Sequence, residues 1–126
     1  MGARKLSILC VDDERVALTL RKLVLEDHGY EVATAGSAAE AMRVLGSRNV
    51  DLVLTDQLMP GVSGTELTKS IKQMRPSLPV VLISGVNEIP PDADSADMFI
   101  SKVEGPVEMC RKISAILAKG EAASRL

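Results

Sequence analysis

No surplus of basic residues marks this chain. Its 15 lysines and arginines stand against 17 acids, for a net charge of −2, with the two signs mixed along the sequence. Nothing therefore builds the basic face that nucleic-acid binding requires. No apolar run approaches the roughly 20 residues of a membrane span, and the opening "MGARKLSILC" is not a secretory signal. Gly2 does not make a myristoylation motif, because Leu6 stands where that motif wants Ser or Thr. Cysteine is scarce: Cys10 and Cys110, a hundred residues apart, offer neither a metal spacing nor a disulfide framework. They read as inert, buried or half-buried thiols of a reducing compartment. His28, the one histidine, falls at a predicted helix end and is assigned no chemistry. A P-loop, internal repeats, low-complexity segments and linkers are all missing.

What is present is an ordinary globular composition, 46% hydrophobic and 25% charged over 126 residues, enough for one domain with a buried core. The expectation is a single cytoplasmic domain over 1–126, with its core at about 6–117 and a frayed tail at 118–126. Apolar runs alternate with amphipathic ones. Leu6 to Val11, "YEVATA", "VDLVLTD", "VVLIS" and "MFISK" read as five strands. Between them, Arg15 to His28 carries Val16, Leu20, Leu23 and Val24 at helical spacing, with a stop at His28-Gly29. Ser37 and Glu40 predict a capping box opening a helix with Ala41, Val44 and Leu45 inward. A helix is expected from about Ser63 to Met74, and a last one from Pro106 to Lys119 with proline in its first turn. Strands separated by helices predict a parallel sheet covered on both faces.

In such sheets, sites form at the carboxyl ends of the strands. Those ends hold Asp12 and Asp13, then Asp56, Ser84 and Lys102. Two carboxylates about 4 Å apart repel by roughly 4 kcal/mol at an effective dielectric near 20. Either they splay into water or a cation sits between them. Mg2+ is suited to such a site, since it takes oxygen ligands from one or two carboxylates, waters and a phosphate. Lys102 adds an ammonium and Ser84 a hydroxyl, a set that can neutralise a phosphoryl group from three sides. A carboxylate can itself be the nucleophile. Glu14 reads as a first-turn acid supporting the helix N-terminus.

Together "LCVDDE", "LVLTDQLMPGVSGTEL", "VVLISG" and "MFISK" resemble the receiver domain of bacterial two-component response regulators, over about Leu6 to Leu117. The resemblance implies a doubly wound α/β fold, strand order 2-1-3-4-5. It also implies phosphotransfer to Asp56 from the phosphohistidine of a histidine kinase or histidine phosphotransfer protein. Mg2+ would be bound by Asp13, Asp56 and the backbone carbonyl of Leu58, with Asp12 acting mainly through water. Lys102 would pair with the carboxylate or phosphoryl, Ser84 would move toward the phosphoryl, and Phe99 takes the place of the switch aromatic. Such a domain would catalyse only its own phosphorylation and dephosphorylation.

Two departures from the family pattern stand out. Val103 follows Lys102 where the family usually has a proline in a cis peptide; a trans bond is expected, because a cis non-proline bond costs about 2.5–4 kcal/mol. The crossover from Gly85 to Asp97 has only thirteen residues and holds Pro90 and Pro91, so its helix should be short, irregular or absent. That puts in doubt the output face which the family builds from this helix and its neighbours. Only nine residues follow Leu117, so output is expected through contacts with a downstream protein if the chain stands alone; a receiver excised from a longer hybrid kinase or regulator is the equal alternative. The alternative from another class is a receiver-like interaction module that never takes phosphate. Enzyme readings lack their residues: "DDERVA" is no flavodoxin-type phosphate loop, and adjacent acids do not match a haloacid-dehalogenase-type nucleophile.

Overall fold

The computed structural model describes residues 5–85 and 95–124. In chain order it contains β1 (Ser7–Val11), α1 (Arg15–Asp27), β2 (Glu31–Ala35), α2 (Ala38–Ser47), β3 (Leu52–Asp56), α3 (Gly64–Met74), β4 (Val80–Ser84), β5 (Met98–Ser101) and α4 (Pro106–Ser124). The five strands form one parallel sheet in the order β2-β1-β3-β4-β5. Burial on both faces explains why β1, β3 and β4 are apolar at consecutive positions rather than alternating, with polar residues only at their ends.

Side-chain alternation divides the core in two. Ile8, Cys10, Leu52, Leu54, Val81, Ile83 and Ile100 pack against Leu25 of α1 and Met109, Cys110, Ile113 and Leu117 of α4. Leu9, Val11, Val53 and Val80 pack instead against Ala38, Ala41 and Leu45 of α2 and Leu67 and Ile71 of α3. No helix among the described residues is long and apolar enough to cross a membrane.

Several local expectations need correction. On α1 the inward residues are Leu18, Val24 and Leu25; Val16, Leu20 and Leu23 are 74%, 58% and 56% exposed. The helix carries two apolar stripes about a third of a turn apart, and the one completed by Leu25 faces the sheet. Ser37 accepts from Glu40 N at 3.1 Å, but the Glu40 carboxylate reaches Gly36 N rather than Ser37 N. The complete capping box opens α3 instead, between Ser63 and Glu66. Glu14 is the residue preceding α1 and makes no side-chain capping bond; its own N–H donates to Asp12 Oδ1 at 2.9 Å. The last helix runs on to Ser124, past the end expected at Lys119. Residues 86–94, and with them the question of a helix between β4 and β5, lie outside the described residues. The return end of that crossover is tied down at Asp97. Its Oδ2 accepts from Lys72 Nζ at 2.6 Å and from Val80 N at 2.8 Å.

Candidate functional site

Strand parity decides which of the strand-end residues meet. Asp12 continues the Ile8–Cys10 series of β1, Asp56 the Leu52–Leu54 series of β3, and Lys102 follows Ile100 by two. All three therefore project to the α1/α4 side of the sheet. There they line a cavity of about 490 Å3, shared with Asp13, Arg21 and Leu58. One oxygen each of Asp12, Asp13 and Asp56 lies within 4.8 Å of the other two.

Asp12 and Asp56 are only 3% and 4% exposed, whereas Asp13 faces solvent. Lys102 Nζ stands 3.3 Å from Asp56 Oδ1. The ammonium makes an ion pair with that buried oxygen, which meets no other polar partner among the described residues. Burial pushes the Asp56 carboxyl above its usual value, and the Asp12 charge adds to the effect; Lys102 and then Arg21 pull it back. A buried carboxylate oxygen met only by one ammonium, beside two more carboxylates, is the arrangement that a hard divalent cation relieves. The donor set is all oxygen, with a solvent-facing carboxylate at its rim, and so fits Mg2+.

The other expected residues are placed as follows. Leu58 borders the cavity and is 55% exposed. Ser84 is buried at the end of β4, on the opposite parity to Ile83, and does not line the cavity. Phe99, in β5, is partly buried and likewise outside it. No cis peptide occurs among the described residues, so Lys102–Val103 is trans. The turn that a proline would otherwise shape is held by Glu104. Its carboxylate accepts from Ser101 N at 2.7 Å and from Lys112 Nζ at 2.6 Å, and these bonds hold its pKa below the usual glutamate value, Lys112 contributing most.

Three further residues build the site without having stood out in the sequence. Arg21 Nη1 donates to Asp12 Oδ2 at 2.6 Å. Gln57, buried behind Asp56, accepts at Oε1 from Thr65 N at 2.9 Å and Thr65 Oγ1 at 2.7 Å. Gly64 N donates to Gln57 O at 2.9 Å, which sets the first turn of α3 directly on the main chain of the Asp56 segment. The only signal for Arg21 was a charge between Leu18 and Leu25, on a stripe that is otherwise apolar. Gly64 could be suspected only as a glycine at a helix start.

This geometry agrees with the comparisons to known proteins. Over 124 residues the chain is 31% identical to the alkaline phosphatase synthesis transcriptional regulatory protein PhoP of Bacillus subtilis, covering 93% of this chain and 50% of that protein. The chain thus spans half the length of this curated relative, and about a fifth of the regulator GlrR of Escherichia coli. Among solved structures, a CheY-like response regulator receiver domain protein from Methanospirillum hungatei superposes with a TM-score of 0.88 at 28% identity, covering 95% of this chain and 99% of that one. The response regulator TrrA of Thermotoga maritima, in complex with Mg2+-BeF, gives a TM-score of 0.82 at 31% identity over 87% of this chain and 97% of its own. The response regulator receiver domain family matches residues 8–114. Strand order, site position and sequence match converge, and the chain belongs to the response regulator receiver domain family.

Proposed function

We propose that this receiver domain accepts a phosphoryl group on Asp56 from the phosphohistidine of a histidine kinase or histidine phosphotransfer protein, with Mg2+, and passes the signal to a downstream protein through an altered surface. The observation that carries the proposal is the buried Asp56 carboxylate, its Oδ1 met only by the Lys102 ion pair among the described residues, opening onto a cavity that also presents Asp12 and Asp13. Asp13, Asp56 and the carbonyl of Leu58 would hold the ion, with Asp12 in support. When bound, Mg2+ offsets the negative charge that gathers on the phosphoryl oxygens.

The chain's own groups do the rest. An oxygen of Asp56 forms the new P–O bond as the donor's P–N bond breaks and its electron pair returns to the imidazole nitrogen. Lys102, already 3.3 Å from Oδ1, holds the charge that moves onto the transferred group. Ser84 would have to turn out of its buried position to donate its hydroxyl, which makes it a reporter of phosphorylation rather than part of the resting pocket. Exposed apolar side chains border the cavity at Leu20 and Leu58, a surface suited to docking the phosphodonor. A cytoplasmic location and no reaction beyond the domain's own phosphorylation and dephosphorylation complete the reading.

The test is incubation with acetyl phosphate, with and without Mg2+, followed by intact mass of the wild type and Asp56→Asn. One Mg2+-dependent phosphoryl addition, absent in the variant, is expected. No addition to a folded wild-type protein would refute the proposal in favour of a phosphorylation-independent interaction module.

A further inference from the structure

Arg21 occupies an unusual place. It lies on the inner side of α1, between Leu18 and Leu25, where the helix otherwise turns apolar groups to the sheet. Its side chain is only 18% exposed. A guanidinium is rarely sequestered without a paired anion. Here the anion is Asp12, itself 3% exposed, with Arg21 Nη1 on its Oδ2 at 2.6 Å and Glu14 N on its Oδ1 at 2.9 Å. Both oxygens of the first acid of the cluster are therefore satisfied by the protein itself, without any metal.

We propose that Arg21 is a tethered counter-ion of the acidic cluster, one that competes electrostatically with a divalent cation and lowers the metal affinity of the unphosphorylated site. This rests on the metal-site reading above and deepens it. The charge balance shows the effect. Asp12, Asp13 and Asp56 against Arg21 and Lys102 leave the aspartate cluster itself at −1, while Glu14 and Glu104, the latter paired with Lys112, add negative charge at the cavity wall. Without Arg21 the cluster stands at −2, one unit more attractive to a divalent ion. Arg21 and the ion would both face Asp12 in one cavity, so removal of the guanidinium frees an acceptor and removes a repulsion together. Lys102 is the counter-ion of a different acid, its ammonium lying 3.3 Å from Asp56 Oδ1. Arg21 touches no reacting atom and acts through Asp12: it is a positioning residue.

The experiment is isothermal titration of the unphosphorylated chain with MgCl2, for the wild type, Arg21→Met and Arg21→Lys, each checked for folding by circular dichroism. Arg21→Met should bind Mg2+ about tenfold more tightly, a size that a unit charge near a divalent ion reaches even at a water-like dielectric. Arg21→Lys keeps the charge and should stay within about threefold of the wild type. Arg21→Gln, polar and neutral, runs alongside so that loss of folding in the methionine variant leaves the comparison standing. A neutral variant that binds Mg2+ with the wild-type constant, or more weakly, would overturn this inference while leaving the metal site intact. Absence of binding in wild type and neutral variants alike would overturn the metal-site reading and this inference with it.

Discussion

Gly64 offers a sharp test of how α3 positions the phosphoacceptor. A Cβ added there would lie 2.3 Å from the carbonyl oxygen of Asp56, 2.9 Å from Gln57 Cα and 3.0 Å from the Asp56 carbonyl carbon. All three neighbours are main chain, so no flexible side chain can swing aside. The helix cannot simply retreat, because Gly64 N and Thr65 N are both bonded to Gln57. Overpacking of this kind costs about 1–3 kcal/mol, against a gain of at most about 0.5–1 kcal/mol from replacing glycine by alanine in a helix. The upper part of the range applies, since a contact of 2.3 Å needs a shift near 1 Å, and Gly64→Ala should destabilise the domain by about 2 kcal/mol. For a chain of this length that lowers Tm by roughly 6–10 °C. Misplacing Asp56 should also slow Mg2+-dependent uptake from acetyl phosphate by about tenfold or more. Gly46 is the control: an added Cβ there meets nothing within 4 Å, and Gly46→Ala within α2 should leave uptake unchanged and raise stability slightly. Thermal melts and intact-mass time courses read both effects. A Gly64→Ala protein melting within 2 °C of wild type, as an order-of-magnitude bound, and phosphorylated at the wild-type rate would refute the packing argument.

In EDTA, Asp56→Asn should be more stable than the wild type, and the gain should grow with pH. The folded-state pKa of Asp56 is raised by burial and by Asp12, so between the unfolded value and that raised value the native state binds more protons. The group's contribution to stability is thus fully present below the unfolded pKa and is lost as pH rises through the folded one. Melts of both proteins from pH 4 to pH 7 check this; a gain that shrinks toward pH 7 would contradict the sign. The thiols should resist labelling in the native protein: burial pushes Cys10 up to about 12 and also raises Cys110. Fast stoichiometric reaction of either with a disulfide reagent at pH 8, while the fold is intact, would show the core to be more open than its packing indicates.

Much of the architecture could be read before any coordinates. Five short apolar runs alternating with amphipathic ones determined the layers, and the acids and the lysine stood out because strands ended on them. The face of α1 did not, since helical spacing alone cannot choose between two apolar stripes that share Val24. The choice was made by Leu25, which is fully buried, while Val16 is 74% exposed. Reading the wrong stripe also hid Arg21, whose meaning depends on lying among inward residues. Ser84 shows a second limit: adjacency in sequence to Ile83 says nothing of the cavity until parity is counted. The turn after Lys102 depends on Glu104 meeting Lys112, eight residues on, a pairing that only the packed β5–α4 corner creates.

The alternation along the strands has a consequence for how such a chain can change over time. Asp12, Asp56 and Lys102 come from separate strands and meet only because each keeps step with the core residues behind it. Gain or loss of one residue within β3 would turn Asp56 toward α2 and α3 while exchanging Leu52 and Leu54 with Val53. Both layers of the core would be scrambled by the edit that moved the carboxylate. The core thus acts as a reading frame for the site: stability alone penalises length changes within the strands more than in the loops beyond their ends, and so guards the spacing of the acids independently of the chemistry they perform.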